Sequence, residues 1–455
     1  MRSSTPSPRP QARRTAPSAW RPVALAALAT LLALGGSAAA SAQSLKDLYA
    51  AARVFDATYQ ASRALSDAAR YRAAQAEALG LPAASLFADV GTARNEPTRG
   101  PASTTTNLSA SLNGRVPLFN RANGASIQQA RKSLLSAQAD LDTAEQDLIV
   151  RVAGAYFDVL AAQDNLGTVQ ANKTATTEQL ASAKRNFEVG TATITDTREA
   201  QARFDLVVAQ EIAADNDLRA KRIALDQLVG RNIVEPRPLK VPVVLPATVP
   251  ANPEDWVTVA DSQHPTVRRA RVGLEIAQLE SQRADAGRLP TVDAVGSIGP
   301  GTARTSGRGS STSTNASVGV QLTWPLYTGG LVQNRIKEAL ALEEKSRNDL
   351  EAARRGVAQA TRVAWFGVQS GQAQVRALEA AEASTQLALE ATQLGYRVGV
   401  RVNLDVLNAQ SQLFNTRRDL ARARYDVLLG SLRLRQASGQ LGAGDVDALN
   451  QLLMP

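Results

Sequence analysis

The chain has 455 residues, no cysteine and one histidine, which excludes disulfides, thiolate sites and multi-histidine metal centres. Its net charge of +9 owes five arginines to the stretch from Met1 to Ala42, where no acidic residue occurs, leaving +4 for the rest. That small surplus, with aromatic residues at 4%, excludes a basic, base-stacking surface for nucleic acid.

Arg13, Arg14 and Arg21 precede the apolar run Val23 to Leu34, and small residues ending in Ala40-Ser41-Ala42 follow it. This is the order of a cleavable export signal over residues 1–42, cut before Gln43. The alternative, a membrane anchor, needs roughly 20 apolar residues, and this run is shorter. No later segment approaches spanning length, so the exported chain belongs in the periplasm, outside the cell, or in the outer membrane as strands.

Beyond the signal, Leu45 to Leu79 has helical spacing and stops at Leu81-Pro82. The stop recurs 208 positions later at Leu289-Pro290, and the same offset relates Val116-Pro-Leu-Phe119 to Trp324-Pro-Leu-Tyr327. Ala155-Tyr-Phe157 and Ala364-Trp-Phe366 are 209 apart, as are Gly230 and Gly439. One inserted residue reconciles the offsets and predicts an internal tandem repeat, residues 43–234 and 254–441, each a helix, a β-hairpin, a long helix and a helix. Between them, residues 235–253 carry six prolines and read as an extended linker, while 442–455 form a C-terminal segment.

In each repeat two alternating segments follow the first stop. Leu86, Ala88 and Val90 share one strand face and Ser85, Phe87, Asp89 and Gly91 the other; the partner sets Leu108, Ala110, Leu112, Gly114 and Val116 against Asn107, Ser109, Ser111 and Asn113. The second repeat keeps the phase with Val292, Ala294, Gly296 and Ile298, then Val318, Val320, Leu322 and Trp324. A soluble hairpin is one reading. In an exported chain, strands long enough to cross a bilayer with one apolar and one polar face also read as outer-membrane barrel strands. Four strands cannot close a barrel, so closure requires other copies: two would give 8 strands and a filled interior, three would give 12 and room for a passage.

A proline-free stretch from Asn120 to Asn186 predicts a helix of about 100 Å at 1.5 Å per residue. Leu134, Leu141, Leu148, Val152, Ala155, Val159, Ala162, Leu166 and Val169 form a seam of supercoiling period, matched by Val357, Ala364, Val368, Gly371, Val375 and Leu378. Each long helix ends in an elbow: Phe187-Glu-Val-Gly190-Thr-Ala-Thr-Ile-Thr-Asp196 recurs as Tyr396-Arg-Val-Gly399-Val-Arg-Val-Asn-Leu-Asp405. The Val-Gly step offers the left-handed helix stop, and Asp196 and Asp405 suit capping of the helices that follow. His264, before Pro265, reads as a turn residue.

Ala155-Tyr-Phe-Asp-Val-Leu160, Phe187 to Asp196, Leu289-Pro-Thr-Val-Asp293, Pro325-Leu-Tyr-Thr-Gly-Gly330, Gly395 to Arg401 and Asp405-Val-Leu407 together resemble the TolC family, and the resemblance covers about Gln43 to Leu449. It implies a mainly α fold with β: a homotrimeric, 12-stranded β-barrel in the outer membrane of a Gram-negative bacterium, continued by a long α-helical coiled-coil tunnel. It also implies a mixed equatorial region built partly by the linker and the C-terminal segment. Function would be a passive export duct joined by a periplasmic membrane-fusion adaptor and an inner-membrane ABC exporter or other transporter, for type I protein secretion. Small-molecule efflux is the alternative reading, and a soluble coiled-coil scaffold a distant one. By the same resemblance Thr195, Asp196, Tyr396 and Arg401 form a gate latch, with Asp405 and Asn408 at the pore constriction, Asn408 standing where the family has a second acid. Asp56-Ala57 replaces the polar-Pro step that His264-Pro265 keeps, so the first helix is expected to run through it. No nucleophile, zinc or cofactor motif occurs, which points away from an enzyme and from any cofactor.

Overall fold

The computed structural model describes residues 43–240 and 242–454, so the expected export signal lies outside the described residues. Two series of elements follow one another. The first is α1 (Leu45–Phe55), α2 (Ala57–Glu77), β1 (Ala83–Asn95), β2 (Ser103–Phe119), α3 (Arg121–Glu188) and α4 (Ile194–Val229). The second is α5 (Pro253–Gln263), α6 (Pro265–Asp285), β3 (Thr291–Thr305), β4 (Gly309–Thr323), α7 (Leu331–Arg397) and α8 (Asn403–Ala437), before a final α9 (Ala443–Asn450). The long helices α3 and α7 have 68 and 67 residues, and α4 and α8 have 36 and 35, so the second series repeats the first in order and in length.

The strands form one antiparallel sheet in the order β1-β2-β3-β4, joined across the two series by β2 and β3. Register keeps the sequence phase: Leu86 faces Leu112, Leu112 faces Ile298, and Ile298 faces Ala316, giving an apolar row across all four strands. Leu86, Val90, Val318, Val320 and Leu322 on that side are exposed. On the other side Asn113, Ser297 and Ser317 align, and Arg115 pairs with Asp293 at 2.6 Å. β1 and β4 are the sheet's two unpaired edges.

Asn120 starts α3 by accepting from the Asn123 N–H at 3.1 Å, relieving one of the orphan donors at the helix start. Sixty-eight residues then carry it about 100 Å. Of its predicted seam, Leu148, Val152, Val159 and Ala162 are buried, and so are Val357, Val368 and Val375 of α7. The principal core lies midway along, where Leu148 to Leu160 of α3 pack with α1, with Val234, with Leu239 of the linker, and with Leu441, Val446, Leu449 and Leu453 near the C-terminus. Isolated bridges Gln43–Pro236 and Leu239–Leu453 and a 2.8 Å hydrogen bond from Tyr156 Oη to the Arg237 carbonyl bind the proline-rich segment there.

The expectation of an unbroken first helix is corrected. Asp56 has extended backbone (ψ 114°), ends α1 and caps α2 by accepting from the Tyr59 N–H at 2.7 Å. Both its oxygens accept from the Arg151 guanidinium, at 2.8 and 2.9 Å, which holds the buried carboxyl below the ordinary range. His264 makes the equivalent break before α6, its Nδ1 accepting from the Thr266 N–H at 3.1 Å. Burial lowers its pKa, keeping the imidazole neutral and able to accept.

Each break rests on the glycine that ends its series' tip helix: Gly230 (φ 67°) lies against the Phe55 ring, and Gly439 (φ 74°) against the His264 backbone. A Cβ at Gly439 would meet main chain, whereas one at Gly190 (φ 80°) would meet nothing within 4 Å. Gly190→Ala should therefore cost about 1 kcal/mol, the left-handed penalty alone, and Gly439→Ala about 3 kcal/mol. Denaturant melts of the helical circular-dichroism signal check the difference.

Candidate functional site

At the end of the molecule farthest from the sheet, α3 turns into α4 and α7 turns into α8 through the two elbows. Both use one geometry. Val189 and Val398 end their helices with ψ 3°, Gly190 and Gly399 take φ 80°, and the two N–H groups that follow converge on the carbonyls of Asn186 and Gly395. Only glycine takes that φ without steric cost, which is why the Val-Gly step occurs in both.

The structure places the predicted latch residues as follows. Asp196 closes a capping box: it accepts from the Thr193 N–H at 2.9 Å and from the Thr193 hydroxyl at 2.7 Å, while its own N–H donates to that hydroxyl at 3.2 Å. The Thr195 hydroxyl lies 2.5 Å from that of Thr193. Arg401 is 3.6 Å from Asp405, one turn on, and Asp405 accepts from the Val402 N–H at 3.5 Å. Tyr396 accepts from the Asn186 amide at 3.1 Å, and Asn408 accepts from Arg203 at 2.9 Å. Within one chain the structure does not bring Arg401 or Tyr396 to Thr195 or Asp196. Asp196 is occupied by capping, and Arg401 by Asp405.

The two helix pairs, α3 with α4 and α7 with α8, are instead laced by side chains that the pattern reading passed over. The series starts where Tyr425 Oη donates to Asp164 at 2.6 Å, a contact whose burial holds the Asp164 carboxyl above the ordinary range. Toward the tip, Gln410 donates to the Asn172 Oδ1 at 3.3 Å and to Thr176 at 3.5 Å, all three buried. Gln179 donates to Asn403, and Leu407 inserts among Leu180, Ala183 and Ala200. A signal was present. Asn172 and Thr176 continue the α3 seam beyond Val169, and Asn403 and Gln410 are seven apart on α8, so amides occupy positions that the supercoil period marks as core.

A family model described as outer membrane efflux protein matches the chain twice, over residues 48–231 and 256–440. Outer membrane protein TolC of Vibrio cholerae is 34% identical over 429 residues, 93% of this chain and 96% of that protein. The alkaline protease secretion protein AprF of Pseudomonas aeruginosa is 32% identical over 340 residues, 74% of this chain and 71% of that one. Among solved structures, the outer membrane protein VceC of Vibrio cholerae aligns with a TM-score of 0.74 at 20% identity, covering 87% of this chain and 96% of that chain, which speaks for the fold.

Gln410→Leu would remove the amide donor to the Asn172 carbonyl and Oδ1, leaving the buried Oδ1 the Thr176 hydroxyl at 3.5 Å, at a cost of about 1–3 kcal/mol. Hydrogen exchange should then quicken along 165–186 and 396–413 and stay unchanged at the core around Leu148 to Leu160.

Proposed function

The chain belongs to the outer membrane efflux protein family, as a TolC-type channel of the outer membrane, and from that premise we propose a passive duct closed by three copies. One observation carries this reading: a four-stranded sheet with an exposed apolar face and two unpaired edges stands on helices of about 100 Å. In lipid such edges would leave backbone groups unsatisfied, so another copy must pair them. Three copies make a 12-stranded barrel wide enough to pass cargo, whereas the 8 strands of two would be filled by side chains.

The tandem reading fits with it. Residues 43–234 and 254–441 act as two like halves of a tunnel wall, linked by 235–253, and 442–455 completes the girdle at mid-length; the double family match and the recurring element lengths support this. The elbows form the far mouth. There the latch works between copies: Arg401 of one copy reaches Thr195 and Asp196 of its neighbour, Tyr396 packs beside them, and Asp405 and Asn408 face the constriction. A link this exposed contributes on the order of 1 kcal/mol, and threefold symmetry repeats it.

A periplasmic adaptor and an inner-membrane transporter would dock at this mouth and supply the energy. Type I secretion of a protein is the cargo reading, supported by the likeness to AprF over 74% of the chain. Small-molecule efflux is the competing outcome of the test.

Arg401→Ala removes the latch cation and spares the Asp196 cap. Its single-channel conductance in planar bilayers should exceed that of the unaltered protein; equal conductance would refute the latch. Deleting the gene should abolish appearance of a secreted protein in the medium while leaving drug susceptibility near normal, and the reverse pattern would establish efflux instead. Threefold, elongated, hollow particles in negative-stain images would support the duct, and compact monomers would exclude it.

A further inference from the structure

The apolar side of the sheet changes character along its length. Near the helices it carries Val320 and Leu322, with Trp324 just past β4, and Val318, Leu112, Leu108 and Val90 continue it, all exposed. Hydroxyls come next: the side-chain oxygens of Thr302 and Thr312 lie 3.2 Å apart, and those of Thr92 and Thr106 3.3 Å. Arginine then ends the wall. Arg304 pairs with Thr106 and Ser310 across the strands and Arg94 with Thr104, so alternation puts both on the side of Leu86 and Ile298. The opposite side carries no charge at this end, where Asn95 faces Ser103, Ala93 faces Thr105, and Thr105 faces Thr305.

Arg99 and Arg308 stand in the two connections just beyond, so residues 92–106 and 302–312 together hold four arginines and one acid, Glu96. Arg94 donates to Glu96 at 2.6 Å, whereas the side chains of Arg99, Arg304 and Arg308 have no ion-pair or hydrogen-bond partner among the described residues. Height decides what these cations meet. From Val292 to Arg304 the strand advances about 40 Å, which a barrel tilt of 35–45° reduces to about 30 Å along the membrane normal. The apolar band of a barrel is about 25 Å tall, so Arg304 falls just past its edge, at the depth of lipid headgroups.

We propose that Arg304 and Arg308 bind the phosphate groups of the glycolipid that forms the outer leaflet, with Arg94 and Arg99 extending the patch. The inference rests on the channel reading above, with the strand connections outward and the long helices in the periplasm, and adds the lipid that meets this rim. Charge complementarity selects the occupant. Guanidinium groups present a planar fork of N–H donors that matches phosphate oxygens, and the anionic headgroup supplies the charge that these arginines lack within the chain. A phosphorylated amphiphile satisfies both parts of the surface at once, its acyl chains lying on Val90 and Leu108 and its phosphates on the arginines. A free anion would match only the cations, and a soluble partner would leave the apolar wall beneath them uncovered.

Full-length protein in detergent, titrated with lipid A carrying both phosphates and followed by native mass spectrometry, should bind it about tenfold or more tighter than dephosphorylated lipid A. Arg304→Gln with Arg308→Gln should lose that preference. Arg121→Gln, which removes an exposed arginine at the start of α3 and so at the opposite end of the sheet, should keep it. Added salt should weaken the preference, since the contacts are ionic and open to solvent. Equal binding of the two lipids by the unaltered protein, or a double variant that still prefers the phosphorylated one, would overturn the proposal. Displacement of the lipid by an equal concentration of inorganic phosphate would make the rim a plain anion site and overturn it as well. Protein that fractionates away from the outer membrane would overturn the channel reading itself, whereas protein that resides there without a phosphate preference would overturn this proposal alone.

Discussion

The constraint on which the rest of the molecule depends is the hydrogen-bonding demand of two strand edges. β1 and β4 have 13 and 15 residues, and each presents a row of N–H and C=O groups with no partner among the described residues. In water such an edge invites aggregation; in hydrocarbon every unpaired group costs several kcal/mol. A sheet whose apolar row runs unbroken from Leu86 to Ala316 therefore cannot rest in a membrane as a single copy. The long helices inherit the same incompleteness, since α7 and α4 keep exposed the faces that α3 and α8 bury against each other.

What could be read from the sequence was whatever depends on local geometry. Strand phase is set by alternation, and Leu86, Leu112 and Ile298 fell opposite one another as alternation requires. Helix ends announced themselves through Leu81-Pro82, Leu289-Pro290 and the glycines at 190 and 399, because proline and a positive φ are local facts. The break at Asp56 was not readable in that way. No proline marks it, and the arginine that fixes the carboxylate is 95 residues away. Only the folded chain brings Arg151 to α1.

The tip shows the same division more sharply. Asn172, Thr176 and Gln410 are polar by type at positions that are core by spacing, and packing of α8 on α3 buries them and turns the amides into the stitching between the two helix pairs. Asp196 and Asp405 could be placed at helix starts by residue type, and both accept from backbone N–H groups there. Where the latch was expected, the single chain satisfies these acids locally. A carboxylate that already accepts from Thr193 keeps further lone-pair sites, so capping and an additional contact from a neighbouring arginine are compatible.

Charge at the tip follows from these contacts. Arg401 lies 3.6 Å from Asp405, and Arg203 donates to the neutral amide of Asn408. An acid at 408 would cancel the Arg203 charge, whereas an asparagine satisfies the hydrogen bond and leaves the cation. At these two contacts one acid has a cation nearby and one arginine is bound by a neutral amide. The contacts that join the two helix pairs at this end, Gln410 to Asn172 and Gln179 to Asn403, are between neutral amides, so screening by salt hardly touches them.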